Sequence, residues 1–159
     1  MTPSITLTPA SDIDTLWVIR DRVRFSGQLG GTQAVMLEVE VPPGATVPVH
    51  RHVSPELYRV LSGEVVFTTL VDGLERQMTG RAGDVLDVPS GAPHGYANNS
   101  GRPAEMLVVV DRTMAAFFRD LGTTVAAEGP PSEAELARVG EACARHGISF
   151  CATSDAPTA

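Results

Sequence analysis

The chain has 159 residues, enough for one domain with a sizeable apolar core and no need of disulfides. Its 43% hydrophobic and 19% charged composition is that of a globular protein and argues against disorder. A formal net charge of −7, with all twelve basic residues arginine and none clustered, argues against a nucleic-acid partner.

The N-terminal stretch MTPSITLTPASDIDTLWVIRD has neither a basic n-region nor an apolar h-region, and no run of about 18 apolar residues follows. A cytoplasmic protein with no membrane partner is expected. From Leu16 to Val110, short runs rich in Val, Leu and Phe are punctuated by turn residues, the spacing of an antiparallel β sandwich or barrel. The reading is all-β, with strands over 16–23, 33–41, 47–52, 57–61, 65–71, 74–78, 85–88, 94–97 and 105–111 and a hairpin turn at 71–73. In the second of these, Glu38 and Glu40 share parity with Met36, so one face carries all three. Glu38 is a candidate for lining the interior, and Met36 and Met106 are assigned to the core.

After Arg112 the texture changes. TMAAFFRDLG reads as a short helix ending at Gly122, and PSEAELARVGEACARHG as a longer one. The second has Ser132 at its N-cap, Glu135 completing a capping box and Gly147 as a stop. Leu136, Val139 and Cys143 form its apolar stripe, packed on the barrel. His146 suits the helix C-terminus as a cation and is not expected to be a ligand. The two cysteines, Cys143 and Cys151, lack CxxC spacing, so neither a disulfide framework nor a cysteine zinc site is expected. The organisation is therefore a barrel over 1–111, a helical extension over 112–150 and a flexible tail over 151–159.

The chemistry-bearing residues are three of the four histidines. His50 and His52 lie in HRHVSPE; two apart on a strand, they point to one face about 6.6 Å apart. Glu56 follows Pro55, whose bend brings its carboxylate back toward the pair. His94 lies in PSGAPHGYAN, after a tight turn built on Pro89, Gly91 and Pro93. Borderline divalent metals take mixed imidazole and carboxylate ligands readily. Tyr58 shares parity with Glu56, and Tyr96 and Asn98 with His94, so these three are pocket candidates. Tyr96 suits a core aromatic as well as a substrate contact, and Asn98 suits a turn or a supporting hydrogen bond.

These spacings resemble the cupin superfamily. Gly44, His50, His52, Glu56 and Gly63 fall on the fixed positions of its first motif, and Gly83, Pro89, Gly91, His94 and Asn98 on those of its second. The resemblance implies a jelly-roll barrel, a double-stranded β-helix, with short C-terminal helices. It also implies that His50, His52, Glu56 and His94 bind one divalent transition metal, iron, manganese, nickel, cobalt or zinc. The helical segments are similar to those of small single-domain cupins related to bacterial quercetin 2,3-dioxygenases. The implied activity is a dioxygenase on a small aromatic or enolisable substrate, with Glu56 as ligand and base. A non-redox polyketide cyclase or isomerase is the alternative implied activity, and a small-molecule binding protein a further one. Pairing of N-terminal strands into a homodimer is a further expectation from the resemblance.

Overall fold

A computed structural model of the chain describes residues 4–152. After a short 3-10 turn at Ala10–Asp12, the strands run β1 Thr15–Val18, β2 Asp21–Gln28, β3 Ala34–Val41, β4 Thr46–Arg51, β5 Glu56–Ser62 and β6 Glu64–Val71. They continue as β7 Leu74–Arg81, β8 Val85–Val88, β9 His94–Ala97 and β10 Ala104–Asp111. Helices α1 (Arg112–Leu121) and α2 (Glu133–Arg145) and a two-residue β11 (Ser149–Phe150) complete the chain. Six strands form one antiparallel sheet in the order β1-β2-β3-β10-β5-β8, and five form the other in the order β11-β4-β9-β6-β7. This is the jelly-roll arrangement. Among the described residues no helix is long and apolar enough to cross a membrane. The tail expected over 151–159 lies outside the described residues from 153 onward, while at its start Cys151 N–H donates to the Val49 carbonyl at 2.9 Å.

Alternation of apolar and polar residues sets the inner face. Val35, Leu37, Val39 and Val41 of β3 are buried, as are Ala104, Met106, Val108 and Val110 of β10. Each such valine or leucine contributes about 1.5–3 kcal/mol by leaving water. The opposite faces carry charge. Arg24 pairs with Glu38 and Arg22 with Glu40, each at 2.8 Å, because the β2–β3 register sets them directly opposite. Glu38 therefore lies on the outer face and not in the pocket, and Met36 beside it is 39% exposed, outside the core to which it was assigned. Met106 is fully buried as expected.

The expected strand over 16–23 is two strands joined by a tight turn at Ile19 and Arg20. Ile19 takes φ 61°, a left-handed conformation that a β-branched residue adopts at a cost. Arg20 gives part of the compensation, donating to the carbonyl of Gly129 at 2.6 Å and to Glu135 Oε1 at 2.9 Å. That clamp ties the hairpin to the start of α2, where Ser132 and Glu135 make the reciprocal capping box. On α2 the buried stripe is Ala142 and Cys143 with Val139 half-buried; Leu136 is 56% exposed and outside it. His146, the C-cap, bonds Asp120 at 3.0 Å and stands apart from the other histidines.

Of the two roles expected for Asn98, pocket lining and a turn or supporting hydrogen bond, the structure shows the second. Fully buried, Asn98 donates to the carbonyls of Val41 (2.9 Å) and Arg102 (2.8 Å) and accepts from the N–H and hydroxyl of Ser100. With no capacity left over, it fixes the 98–104 turn against β3. Asn98→Ala removes the side-chain donor to the buried Val41 carbonyl, while the Arg102 carbonyl keeps Ser100 Oγ, and should cost about 1–3 kcal/mol in urea unfolding. Metal content measured on the folded variant should be unchanged, and a loss of metal at full stability would contradict this assignment.

Candidate metal centre

The histidines are aimed by a bulge. In the β4–β9 register Val47 is opposite Tyr96 and His50 opposite His94, so β4 spends two residues, Pro48 and Val49, where β9 spends one, Gly95. The extra residue makes Val47 and His50 share a face although three apart. Pro48, which has no N–H for a ladder, is tolerated there for the same reason. Gly95 is part of the device. A Cβ on it would stand 2.6 Å from the Val47 carbonyl oxygen and 3.0 Å from Val49 N, backbone atoms that cannot yield cheaply. His52 lies just past the end of β4, and its carbonyl accepts from Gly91 N–H at 2.8 Å, which ties it to the loop before His94.

The three rings converge. Their centroids are 4.5 Å (His50–His94), 4.9 Å (His52–His94) and 5.4 Å (His50–His52) apart, and one ring nitrogen from each lies within 4.8 Å of the others. Nδ1 of His50 meets the Pro48 carbonyl and Nδ1 of His94 the Ala92 carbonyl, each at 2.9 Å. A carbonyl only accepts, so both Nδ1 atoms carry the proton, and Nε2 is the atom that presents a lone pair when the ring is neutral.

Glu56, at the start of β5 and 4% exposed, meets two of the three rings. Its Oε2 is 3.2 Å from His94 Nε2 and its Oε1 3.7 Å from His52 Nε2. Neither contact is aligned as a hydrogen bond, so the buried Nε2 atoms of His52 and His94 have no partner. An unsatisfied buried nitrogen costs about 1–3 kcal/mol, and a divalent cation is the partner that lone pairs accept. The donor set of imidazoles and one carboxylate fits a borderline transition metal. Burial, with the neighbouring His94, pushes His50 down to about 4, and burial lowers His52 as well, so both are neutral and ready to donate. Burial also pulls on His94, but the Glu56 carboxylate and the Ala92 carbonyl outweigh it and the net direction is up. Glu56 goes the other way: burial would raise it, and His94 and Tyr58 outweigh that and hold it low.

Beneath the cluster lies an aromatic floor. Tyr58, Phe67 and Tyr96 meet edge to face with centroids 5.6–6.4 Å apart. Tyr58 and Tyr96 thus face inward with the histidines, and each hydroxyl is engaged. Tyr58 donates to Glu56 Oε2, and Tyr96 donates to Asp21 Oδ2 at 2.5 Å. Asp21 is a buried acid that the sequence reading passed over, pushed up to about 7 by burial, against the Tyr96 hydrogen bond. The alternation Asp21, Val23, Phe25 against Arg22, Arg24 was the signal that it faces in.

Residues 37–110 match the family described as "Cupin domain". The match spans a little under half of the chain. Among solved structures, the polyketide cyclase RemF from Streptomyces resistomycificus is similar at 23% identity and a TM-score of 0.57, covering 68% of this chain and 80% of that one. The cupin domain of CENP-C from Drosophila melanogaster is similar at 17% identity and a TM-score of 0.57, covering 69% and 84%. A sugar phosphate isomerase of the cupin superfamily from Silicibacter pomeroyi aligns at 27% identity and a TM-score of 0.51, over 60% and 61%. No curated protein matches the sequence significantly.

Two measurements check this site. Gly95→Ala leaves every candidate ligand in place yet presses on the bulge; it should cost about 1–3 kcal/mol and leave the folded protein short of stoichiometric metal. Full metal occupancy in that variant would show that the bulge does not aim the histidines. For Asp21, folded and unfolded pKa are about 7 and 3.8, so the folded chain holds a proton that the unfolded chain releases. Its contribution to stability is complete below the lower value and is lost as pH rises through the upper one, by about 4 kcal/mol at most. Asp21→Asn should therefore flatten the fall in denaturant midpoint between pH 4 and 8; an unchanged fall would place that titration elsewhere.

Proposed function

We propose that the chain is a metal-dependent enzyme acting on a small aromatic or enolisable compound, and that it is a dioxygenase of the quercetinase kind. The observation that carries this reading is Glu56, a buried carboxylate held between two imidazoles and a tyrosine hydroxyl. A divalent transition metal held by His50, His52 and His94 with Glu56 would supply Lewis-acid stabilisation of an enolate and, if redox-active, a route to O₂.

The chain's own residues do the rest. Tyr58 fixes Oε2 of Glu56, which leaves Oε1 to take the proton of a substrate hydroxyl. Neutral His50 and His52 add no competing proton at the same place. The floor of Tyr58, Phe67 and Tyr96 keeps water from below and offers ring edges to an aromatic substrate. The same proton transfer without O₂ would make the chain a cyclase or isomerase, and RemF, which shares its fold, is a polyketide cyclase.

The test loads the apoprotein with Fe(II), Mn(II), Co(II), Ni(II) and Zn(II) in turn. Each form is assayed in an oxygen electrode with 3-hydroxyflavone, catechols and β-diketones. Oxygen uptake that requires both metal and substrate is the expected result. Product without uptake would replace the dioxygenase by the cyclase, and neither, across the panel, would contradict an enzyme of this substrate class. Glu56→Gln should lower turnover about 10²–10⁴-fold while metal is largely kept. Equal loss of metal and turnover would reduce Glu56 to a ligand.

A further inference from the structure

The sheet extends the site sideways. Val110 is opposite Val35, and Val109 is opposite Leu57, so Glu56, Val110 and Val35 fall on one inward row across β5, β10 and β3. With strands about 4.8 Å apart, Val35 lies roughly 10 Å from Glu56 along that row. At Val35 opens a cleft of about 330 Å³ between the sheet and α1, lined by Phe25, Gln28, Val35, Arg112, Ala116 and Arg119 among others.

Its walls combine apolar surface with two guanidiniums. Arg112 and Arg119 are two turns apart on α1 and share one face of it. Arg119 is fixed in place, its Cζ 3.8 Å from the Phe25 ring centroid and its Nη1 3.0 Å from Asp14. With the Gln28 amide turned so that its oxygen faces α1, that oxygen accepts from Arg112 Nε at 2.7 Å, and Arg112 forms no ion pair among the described residues. The nearest acid in sequence, Asp111, is committed as the N-cap of α1, accepting from Met114 N–H at 2.9 Å. In a chain of net charge −7, a cleft with one uncompensated arginine and a second beside it is a local anion site.

We propose that this cleft is the second half of the substrate site and that it takes a carboxylate at the far end of an aromatic substrate whose oxygen-bearing head sits at the histidines. The inference rests on the reading of the histidine cluster as the substrate's metal centre. The guanidinium of Arg112 reads the carboxylate, Gln28 orients that guanidinium, and Phe25 with Val35 covers the ring that leads to it. The roughly 10 Å between the two halves fits two or three linked rings. Arg112 and Arg119 are thus specificity-determining residues, and neither is placed among the reacting groups.

The test compares two probes with the same metal-binding head, 3-hydroxyflavone and its 4′-carboxylate, titrated by fluorescence into the zinc-loaded protein so that no turnover intervenes. The acid should bind about tenfold or more tightly than the neutral probe, as a charge-assisted bond implies. Arg112→Gln and Arg119→Gln should each remove most of that preference without weakening the neutral probe, and Arg119→Lys should keep part of it. Both arginines are exposed, so the variants should fold. Ala116→Glu, which adds a negative charge to the cleft, should abolish the preference with both arginines intact. Equal binding of the two probes, or equal loss of both in the arginine variants, would overturn the proposal, and so would binding of neither. Repeating the neutral titration after EDTA scores the metal centre separately. If the neutral probe binds as well without metal, the metal reading fails while the acid preference still decides the cleft.

Discussion

The site depends on one local mismatch, the extra residue that β4 carries against β9. Without it, His50 would not stand opposite His94, and Val47 and His50 would point to opposite faces. Pro48 makes the mismatch tolerable by withdrawing an N–H from the ladder, and Gly95 makes it possible by leaving room for the displaced backbone. A chain with the same histidines and a regular β4 would still fold into two sheets, because the core valines and leucines do not take part in the bulge. It would lose the convergence of three rings.

Around that centre the polar groups divide into two kinds. Those that hold the fold are satisfied: Asn98 makes four bonds, the helix caps are closed, and Arg20 is occupied by α2. Those at the centre are left open, with the Nε2 atoms of His52 and His94 buried and unpartnered. Both of these bare nitrogens lie in the histidine cluster, where a metal ion is the partner their lone pairs lack. The tyrosines extend the same division inward. Tyr58 commits its hydroxyl to Glu56 and Tyr96 to Asp21, so the floor of the site is apolar toward the cluster and polar beneath it.

The jelly roll and the ligand candidates were legible in the sequence because their signals are local. Two-residue spacing, glycine turns and the capping box of α2 each follow from a few neighbouring side chains, and the structure forms them where those side chains stand. What escaped was decided by contacts across the fold. The turn at Ile19 and Arg20 contains no glycine, proline or asparagine, and Arg20, next to its left-handed residue, is held by a helix more than a hundred positions away. The face of Glu38 was ambiguous because parity groups residues without saying which side is wet; Arg22 and Arg24 on the neighbouring strand decide it. Leu136 lies at a helical spacing that fits the stripe, yet small Ala142 and Cys143 make the contact and leave it in solvent. The bulge was hidden for a different reason: the HxH spacing reads as a regular strand, and only pairing with β9 shows the extra residue before it.

The central claim is that three imidazoles, aimed by the bulge, hold one metal ion. X-ray absorption at the cobalt edge of protein loaded with Co(II) tests it most directly, because each coordinated imidazole adds its own outer-shell scattering. The account requires one cobalt per chain with three imidazoles. Sub-stoichiometric cobalt, or a shell that fits with one imidazole or none, would contradict it.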